Sequence, residues 1–351
     1  MVISTAEATT IDIRLIESLA TGAGGIGDRS GLQLRVQTED GLTGRGETAP
    51  IPGVEGQGLE AIAVEIERWC TTAAGQSVDA AASSLDDTDI GALARFAIHT
   101  ALIDLQSQNA KLPAATWLRS DAPSHVAANG LVTDSNPGAV HARVSELVQA
   151  SMKAIKLKVA MGDPSQDVTR IIAASEAAGP NVALRLDANR AWDRAAAEKV
   201  IGRVGRHRLD FVEDPTDNPS DYHAIEESTG VPIALDLPIT DNPAEAIAAA
   251  NVSIVVVKPA AIGGIDRVLK LAADHPELRV VVSSSIDREI GLAAAVHLAA
   301  ALPNDDEVHG IATGGLVRDM PAALLPADGA VNVPESNGIW IGDTADSEDS
   351  P

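Results

Sequence analysis

From about residue 124 onward the chain repeats one pattern, a short β-branched run followed by an Ala-rich stretch of helical length. The runs lie at 125–133, 154–159, 182–187, 209–213, 232–236, 252–258 and 279–285, with a weaker eighth at 308–312. Strands that alternate with helices form a parallel sheet. Eight of them predict a closed α/β barrel over 121–320 rather than an open doubly wound sheet, which usually has fewer strands. Apolar residues make up 45% of the chain but aromatics only 2%, so Ala, Val, Ile and Leu must fill the core. That composition suits strands buried on both faces beneath Ala-rich helices.

The 351 residues leave room for a second unit, and 1–120 read as an α+β domain. Strands are expected at 11–19, 32–38 and 42–48, with Glu39-Asp40-Gly41 as a turn, and helices at 59–70 and 90–108. Thr88 or Asp89 is the expected N-cap of the second helix. The segment Thr21-Gly22-Ala23-Gly24-Gly25-Ile26-Gly27 contains a literal G-x-G-x-x-G, but a strand and not a helix follows it. A dinucleotide fingerprint must open a helix, so a flexible lid loop over 21–31 is predicted instead. Past the barrel, 321–343 is expected to pack back on the N-terminal domain, and the acidic end over 344–351 to be disordered.

A formal net charge of −24 argues against nucleic acid or an anionic membrane as partner, since both need a basic surface. One basic pocket can still receive a small carboxylate substrate. Cys70 is the only cysteine, which excludes an intramolecular disulfide and a cysteine-based zinc site. The first ten residues lack the basic and apolar regions of a signal peptide, and no apolar run is long enough to span a bilayer. A soluble cytoplasmic protein is expected. The sequence sets no oligomeric state.

Functional side chains of a parallel barrel gather at the C-terminal ends of its strands. Here those ends are Lys156-Leu157-Lys158, Asp187, Glu213, Asp236, Lys258 and Ser283-Ser284-Ser285, about one βα unit apart. Carboxylates on adjacent strand ends repel by ~4 kcal/mol per close pair at an effective dielectric near 20, so a proton or a cation must compensate. Three oxygen donors with open positions suit Mg²⁺, with Mn²⁺ as a possible substitute. Any one acid alone could be a helix cap; three on consecutive strands point to a metal site. Lys156 and Lys158 share a strand face, and mutual repulsion is expected to make Lys158 a usable base. Lys258 ends the apolar run Ile254-Val255-Val256-Val257, where an ammonium needs a carboxylate partner. Together these groups suit removal of a proton next to a carboxylate: the cation and one ammonium stabilise the enediolate, and the other lysine takes the proton. The eight histidines show no ligand spacing.

These residues resemble the enolase superfamily, and within it the muconate-lactonizing-enzyme subgroup. Lys156-Leu157-Lys158 is similar to its K-x-K, and Asp187-Ala188-Asn189 followed by Trp192 to its D-A-N-x-x-W. Val212-Glu213-Asp214-Pro215, Leu235-Asp236 and Val257-Lys258-Pro259 with Gly263-Gly264 resemble the next three signatures. Arg45-Gly46-Glu47-Thr48-Ala49-Pro50 resembles the G-x-G-E-x-A-P of the capping domain. The resemblance implies a (β/α)7β-type modified TIM barrel with an α+β N-terminal capping domain.

Within the subgroup the chain is most similar to the actinobacterial type of the o-succinylbenzoate synthase family, through the 281–294 and 309–316 segments. That implies a Mg²⁺-assisted syn dehydration in menaquinone biosynthesis. Lys158 would remove the α-proton and help water leave, Lys258 stabilise the enediolate, and Lys156 support the carboxylate and tune Lys158. Asn129, Asn189, Ser283, Ser284, Ser285 and Arg29 are the expected substrate-binding residues. Three departures stand out: Asp236 is followed by Leu237 instead of an acid, the first-strand motif reads Asn129-Gly130-Leu131-Val132-Thr133, and the lid reads Gly27-Asp28-Arg29-Ser30-Gly31. N-acylamino-acid racemisation or cycloisomerisation on the same scaffold is the alternative. Dipeptide epimerisation ranks lower because 308–314 has no D-x-D. A Schiff-base barrel leaves the acids without purpose, and a non-catalytic metal-binding relative is hinted at only by Leu237.

Overall fold

The computed structural model describes residues 1–21, 24–51, 58–205, 209–238 and 242–340. The expected disordered tail and positions 22 and 23 of the expected lid lie outside the described residues.

In the N-terminal region the strands are β1 (Ile3–Ile13), β2 (Leu19–Thr21), β3 (Gly24–Ile26), β4 (Arg29–Thr38) and β5 (Thr43–Thr48). β1, β4 and β5 form an antiparallel sheet in that order, and β2 pairs with β3 in a short hairpin. β1 begins eight residues before the expected start at 11. Its half-buried face there is Ala6 and Ala8, too small to give a strong apolar alternation. The segment expected as a lid is not one loop: it carries the hairpin, and Arg29, Ser30 and Gly31 already pair with Ile13, Asp12 and Ile11.

The helix Ala92–Ala110 is buried along almost its whole length under β5. Gly46 makes that contact possible, because a Cβ there would lie 1.8 Å from the Ala97 carbonyl oxygen. The helix starts after Gly91 with no side-chain cap, in place of the expected Thr88 or Asp89. The Gly91 N–H donates to the Glu65 carboxylate on the neighbouring helix instead.

The next strands are β6 (His125–Ala127), β7 (Asn129–Val132), β8 (Ala154–Lys158), β9 (Ala183–Asp187), β10 (Leu209–Glu213), β11 (Ile233–Asp236), β12 (Ile254–Val257), β13 (Arg279–Val282) and β14 (Ala330–Asn332). Among the described residues β7 to β13 form a seven-stranded parallel sheet in chain order. The weak eighth run closes it through two residues. Asn129 N–H donates to His309 O at 2.9 Å, and Gly310 N–H to Val282 O at 2.7 Å. A longer strand does not form because the chain turns into a 3-10 helix at Ala312–Leu316. The result is a (β/α)7β-type barrel of the modified TIM kind, preceded in the chain by an α+β region. Phe211, Ala234, Ile254, Val256 and Val281 form a small apolar cluster of their own, and a larger one joins strands to helices.

After residue 320 the chain runs back along earlier elements. β14 pairs with β6, Gly338 O accepts from Ala114 N, and Ile339 N donates to the Asp104 carboxylate of the Ala92–Ala110 helix. Among the described residues no helix is long and apolar enough to cross a membrane.

Candidate active site at the barrel mouth

Register brings the charged strand ends together. Lys158 on β8 is level with Asp187 on β9, which is level with Glu213 on β10. Glu213 is level with Ala234 on β11, so Asp236, two residues on, shares its face. Lys258 directly follows β12.

The side chains interlock by charge. Lys156 Nζ donates to Glu213 Oε1 at 2.7 Å and Oε2 at 2.8 Å, and lies 2.8 Å from Asp187 Oδ2. Lys158 Nζ donates to Asp187 Oδ2 at 2.6 Å and to Asn189 Oδ1 at 2.9 Å. Lys258 Nζ donates to both oxygens of Asp236. Lys258 thus has the carboxylate partner its apolar setting demands. Burial opposes the charge of Lys156, but Asp187 and Glu213 outweigh it and hold the ammonium above its ordinary value. Burial likewise opposes Lys258, and Asp236 and Glu213 raise it. The two β8 ammonium groups therefore do not face each other uncompensated, as the spacing alone predicts: Asp187 stands between them.

Among the described residues no three His, Cys, Asp or Glu side chains are already gathered tightly enough to hold a metal ion. Each acid closes on a lysine, because a buried carboxylate needs a counter-charge and the ammonium groups supply it. The donor set still fits a hard divalent cation. All three are carboxylates, and Asp187 and Glu213 touch the same Lys156 Nζ. Burial, followed by repulsion from Asp187 and Asp236, pushes Glu213 up to about 8 against the pull of Lys156. Burial also opposes ionisation of Asp187, but Lys156 and Lys158 hold it below the ordinary carboxylate range. One acid of the set thus carries charge that its surroundings resist, which a bound cation would relieve.

The other expected site residues divide. Asn189 is at the mouth on Lys158, and its own N–H donates to Asp187 Oδ1 at 3.0 Å. Asn129 is not at the mouth. It opens β7, and its Oδ1 lies 3.5 Å from Arg185 Nη1, beneath the site. The run 125–133 is two strands and not one, which moves Asn129 from the middle of a strand to the start of the next. Ser283 is half-buried on the same face as Val281. Ser284 Oγ pairs with Thr313 Oγ1 and accepts from Ile286 N, and Ser285 is buried. Arg29 is buried with its Nη2 donating to Ser285 O at 2.6 Å and Ile286 O at 2.8 Å. It clamps the loop after β13.

Glu47 grips the same loop from its far end. Its carboxylate accepts from Arg288 N, Ile290 N and Gly291 N at the start of the helix Glu289–Ala301. Burial, with Asp287 and Glu289 nearby, pushes its carboxyl up to about 8. Between the grips, Ile286 adopts φ 59°, a left-handed conformation costly for a β-branched residue. The motif at 45–50 was visible in the sequence, but the helix end it caps lies over 240 residues away in the chain and was not. The sequence motifs include Asp214 and end beside Arg190 but give neither a role; the structure pairs the two and puts Asp214 on the Asp236 N–H.

Residues 139–345, more than half of the chain, match the family described as enolase C-terminal domain-like. An o-succinylbenzoate synthase of Vibrio cholerae is 31% identical over 323 residues, covering 86% of this chain and 88% of that one. The chain belongs to the enolase superfamily. Another relative within reach of this superfamily member, the o-succinylbenzoate synthase of Thermobifida fusca, is 37% identical over 186 residues, 51% of this chain and 58% of that one. Among solved structures, a dipeptide epimerase from Enterococcus faecalis complexed with Mg and L-Leu-L-Tyr superposes with a TM-score of 0.87. It covers 97% of this chain and 99% of its own at 23% identity, a likeness of fold.

Proposed function

We propose that this enolase-superfamily enzyme is an o-succinylbenzoate synthase acting in menaquinone biosynthesis. Its substrate would be a succinyl-hydroxycyclohexadiene carboxylate. The observation that carries the reading is the mouth itself, where acids on three consecutive strands stand between Lys158 on one side and Lys258 on the other. Names borne by relatives along most of the chain favour the dehydration over other chemistry on the scaffold.

Asp187, Glu213 and Asp236 would hold Mg²⁺, with Mn²⁺ as an alternative occupant of the same oxygen set. When bound, such a cation stabilises negative charge developing on a substrate carboxylate. With the acids engaged by such a cation, Lys158 and Lys258 would be free of their present partners and able to face the substrate. Lys158 Nζ, unprotonated at that moment and oriented by Asn189, takes the α-proton. The C–H electrons pass onto the carboxylate to give the enediolate, which collapses to the new C=C bond as the C–O bond of the neighbouring hydroxyl breaks. Hydroxide departs on the same face with the proton from Lys158, and the products are the aromatic acid and water. Lys258 stays an ammonium and stabilises the enediolate. Lys156, fixed between Asp187 and Glu213, keeps those carboxylates oriented.

The test is an assay for o-succinylbenzoate formation with and without Mg²⁺, using Lys158→Ala as the control. The variant should lose at least about a thousandfold in rate while still binding metal, as expected for loss of a general base. Undiminished turnover would remove Lys158 from this role.

A further inference from the structure

We propose that Asp214 and Arg190 form a brace that fixes Asp236 as a cation ligand, an inference that rests on the reading of Asp236 given above. The ladder between β10 and β11 is short: Val212 pairs with Ile233 and Glu213 with Ala234. Its last backbone bond runs from Asp214 N to Ala234 O at 3.0 Å. There β10 leaves the sheet, because Asp214 adopts φ 42°, rarely seen outside glycine, Asn and Asp. Asp236 lies two residues past the end of that ladder.

The side chain of Asp214 takes over where its backbone stops. Its Oδ1 accepts from Asp236 N at 3.0 Å and from Tyr222 Oη at 3.0 Å, and its Oδ2 from Arg190 Nε at 2.8 Å. Both oxygens face inward, so this buried acid supports a ligand and is not placed to be one.

Arg190 completes the brace from β9. Asn189 and Arg190 are consecutive left-handed residues, with φ 45° and 65°, which turn the chain toward the end of β10. The Arg190 N–H donates to Asp214 O at 2.8 Å, and its Nη2 reaches Asp236 O at 3.5 Å. Asp214 thus holds the Asp236 peptide on the N–H side and Arg190 on the carbonyl side. Three left-handed residues at the ends of adjacent strands, an arginine among them, have a reason to persist if the position of the Asp236 carboxylate matters. Groups that orient a metal ligand typically change affinity ten- to a hundredfold when removed.

The experiment is calorimetric titration of the full-length protein with Mg²⁺, with melting temperature recorded in parallel. Asp214→Ala should weaken binding about ten- to a hundredfold and Arg190→Ala about tenfold. Asp214→Asn keeps an oxygen for the Asp236 N–H but sets an amide N–H against Arg190, so its affinity should fall between wild type and Asp214→Ala. Tyr222→Phe removes the other donor to the same oxygen and should lower the melting temperature while leaving Mg²⁺ affinity within about twofold. Should Asp214→Ala fail to fold, Arg190→Ala and Asp214→Asn carry the comparison, since both leave the backbone ladder intact. Wild-type affinity in the Ala variants, or equal losses in Tyr222→Phe, would overturn the brace alone. Absence of Mg²⁺ binding by the wild type would overturn the metal site and the brace with it.

Discussion

The barrel interior holds two clusters of opposite charges, one at the mouth and one directly beneath it, and they are built from different cations. At the mouth the cations are Lys156, Lys158 and Lys258. Beneath, they are Arg185 and Arg279, shared between Asp210 and Glu307. Arg185 bonds Asp210 at 2.8 Å and Glu307 at 2.9 Å. Arg279 reaches the same two acids at 2.7 and 2.6 Å. The Phe211 ring lies 4.7 Å from one guanidinium and 5.5 Å from the other. Guanidinium is planar, many-armed and permanently charged, so the lower cluster saturates its partners and stays as it is. An ammonium is a point charge that can rotate away or surrender its proton. The same barrel therefore carries a fixed plug and, above it, a set of charges able to exchange partners.

That contrast can be broken by mutation. Lys158→Ala, which should cost about a thousandfold in turnover, leaves Asp187 paired with Lys156 and should cost less stability than loss of a plug arginine. Arg185→Met should do the reverse, costing about 3 kcal/mol by denaturant unfolding because two buried acids lose a partner. A plug variant as stable as wild type would show that the lower cluster is not structural.

The acids of the two clusters are shifted in opposite directions, so the clusters should respond to pH in different ranges. Burial opposes ionisation of Asp210 and Glu307, but the two arginines hold both below their ordinary values. The unfolded chain therefore binds protons more readily than the fold. The plug contributes fully above about pH 4.5, the ordinary glutamate value, and its contribution is lost as pH falls through the depressed folded values. Replacing Asp210 by Asn should flatten acid unfolding curves in that range. At the mouth Glu213 is pushed up to about 8, so below that pH a cation must displace a proton. Mg²⁺ affinity should climb up to tenfold per pH unit toward 8 and then level off, with proton release visible by calorimetry in buffers of different ionisation enthalpy. A flat profile would mean that Glu213 is not a ligand. The smallest effect belongs to Ser283→Ala, which removes one hydroxyl at the mouth and should raise KM about two- to tenfold with kcat little changed.

The mouth was largely legible in the sequence because each of its charges interrupts or ends an apolar run, and strand periodicity then puts them on one rim. The plug was not. Arg185 sits in the run Ala183-Leu184-Arg185-Leu186-Asp187, where alternation alone reads it as facing solvent or pore with equal ease. Between Leu209 and Phe211 the register of β10 shifts at Asp210, a displacement no propensity announces. Glu307 precedes the two residues that stand in for an eighth strand. The polar, glycine-rich neighbours of Arg29 suggest a lid, whereas pairing with β1 makes it strand and turns its guanidinium onto the loop after β13. In each case the deciding partner is distant in the chain.

The most direct test is a crystal structure of the protein with Mg²⁺ and a carboxylate ligand. The account predicts one ion with oxygens of Asp187, Glu213 and Asp236 all at about 2.0–2.1 Å, and Lys158 and Lys258 turned from their acids toward the ligand on opposite sides. Carboxylates still closed on their lysines, with the ion elsewhere or bound by fewer than these three, would contradict it.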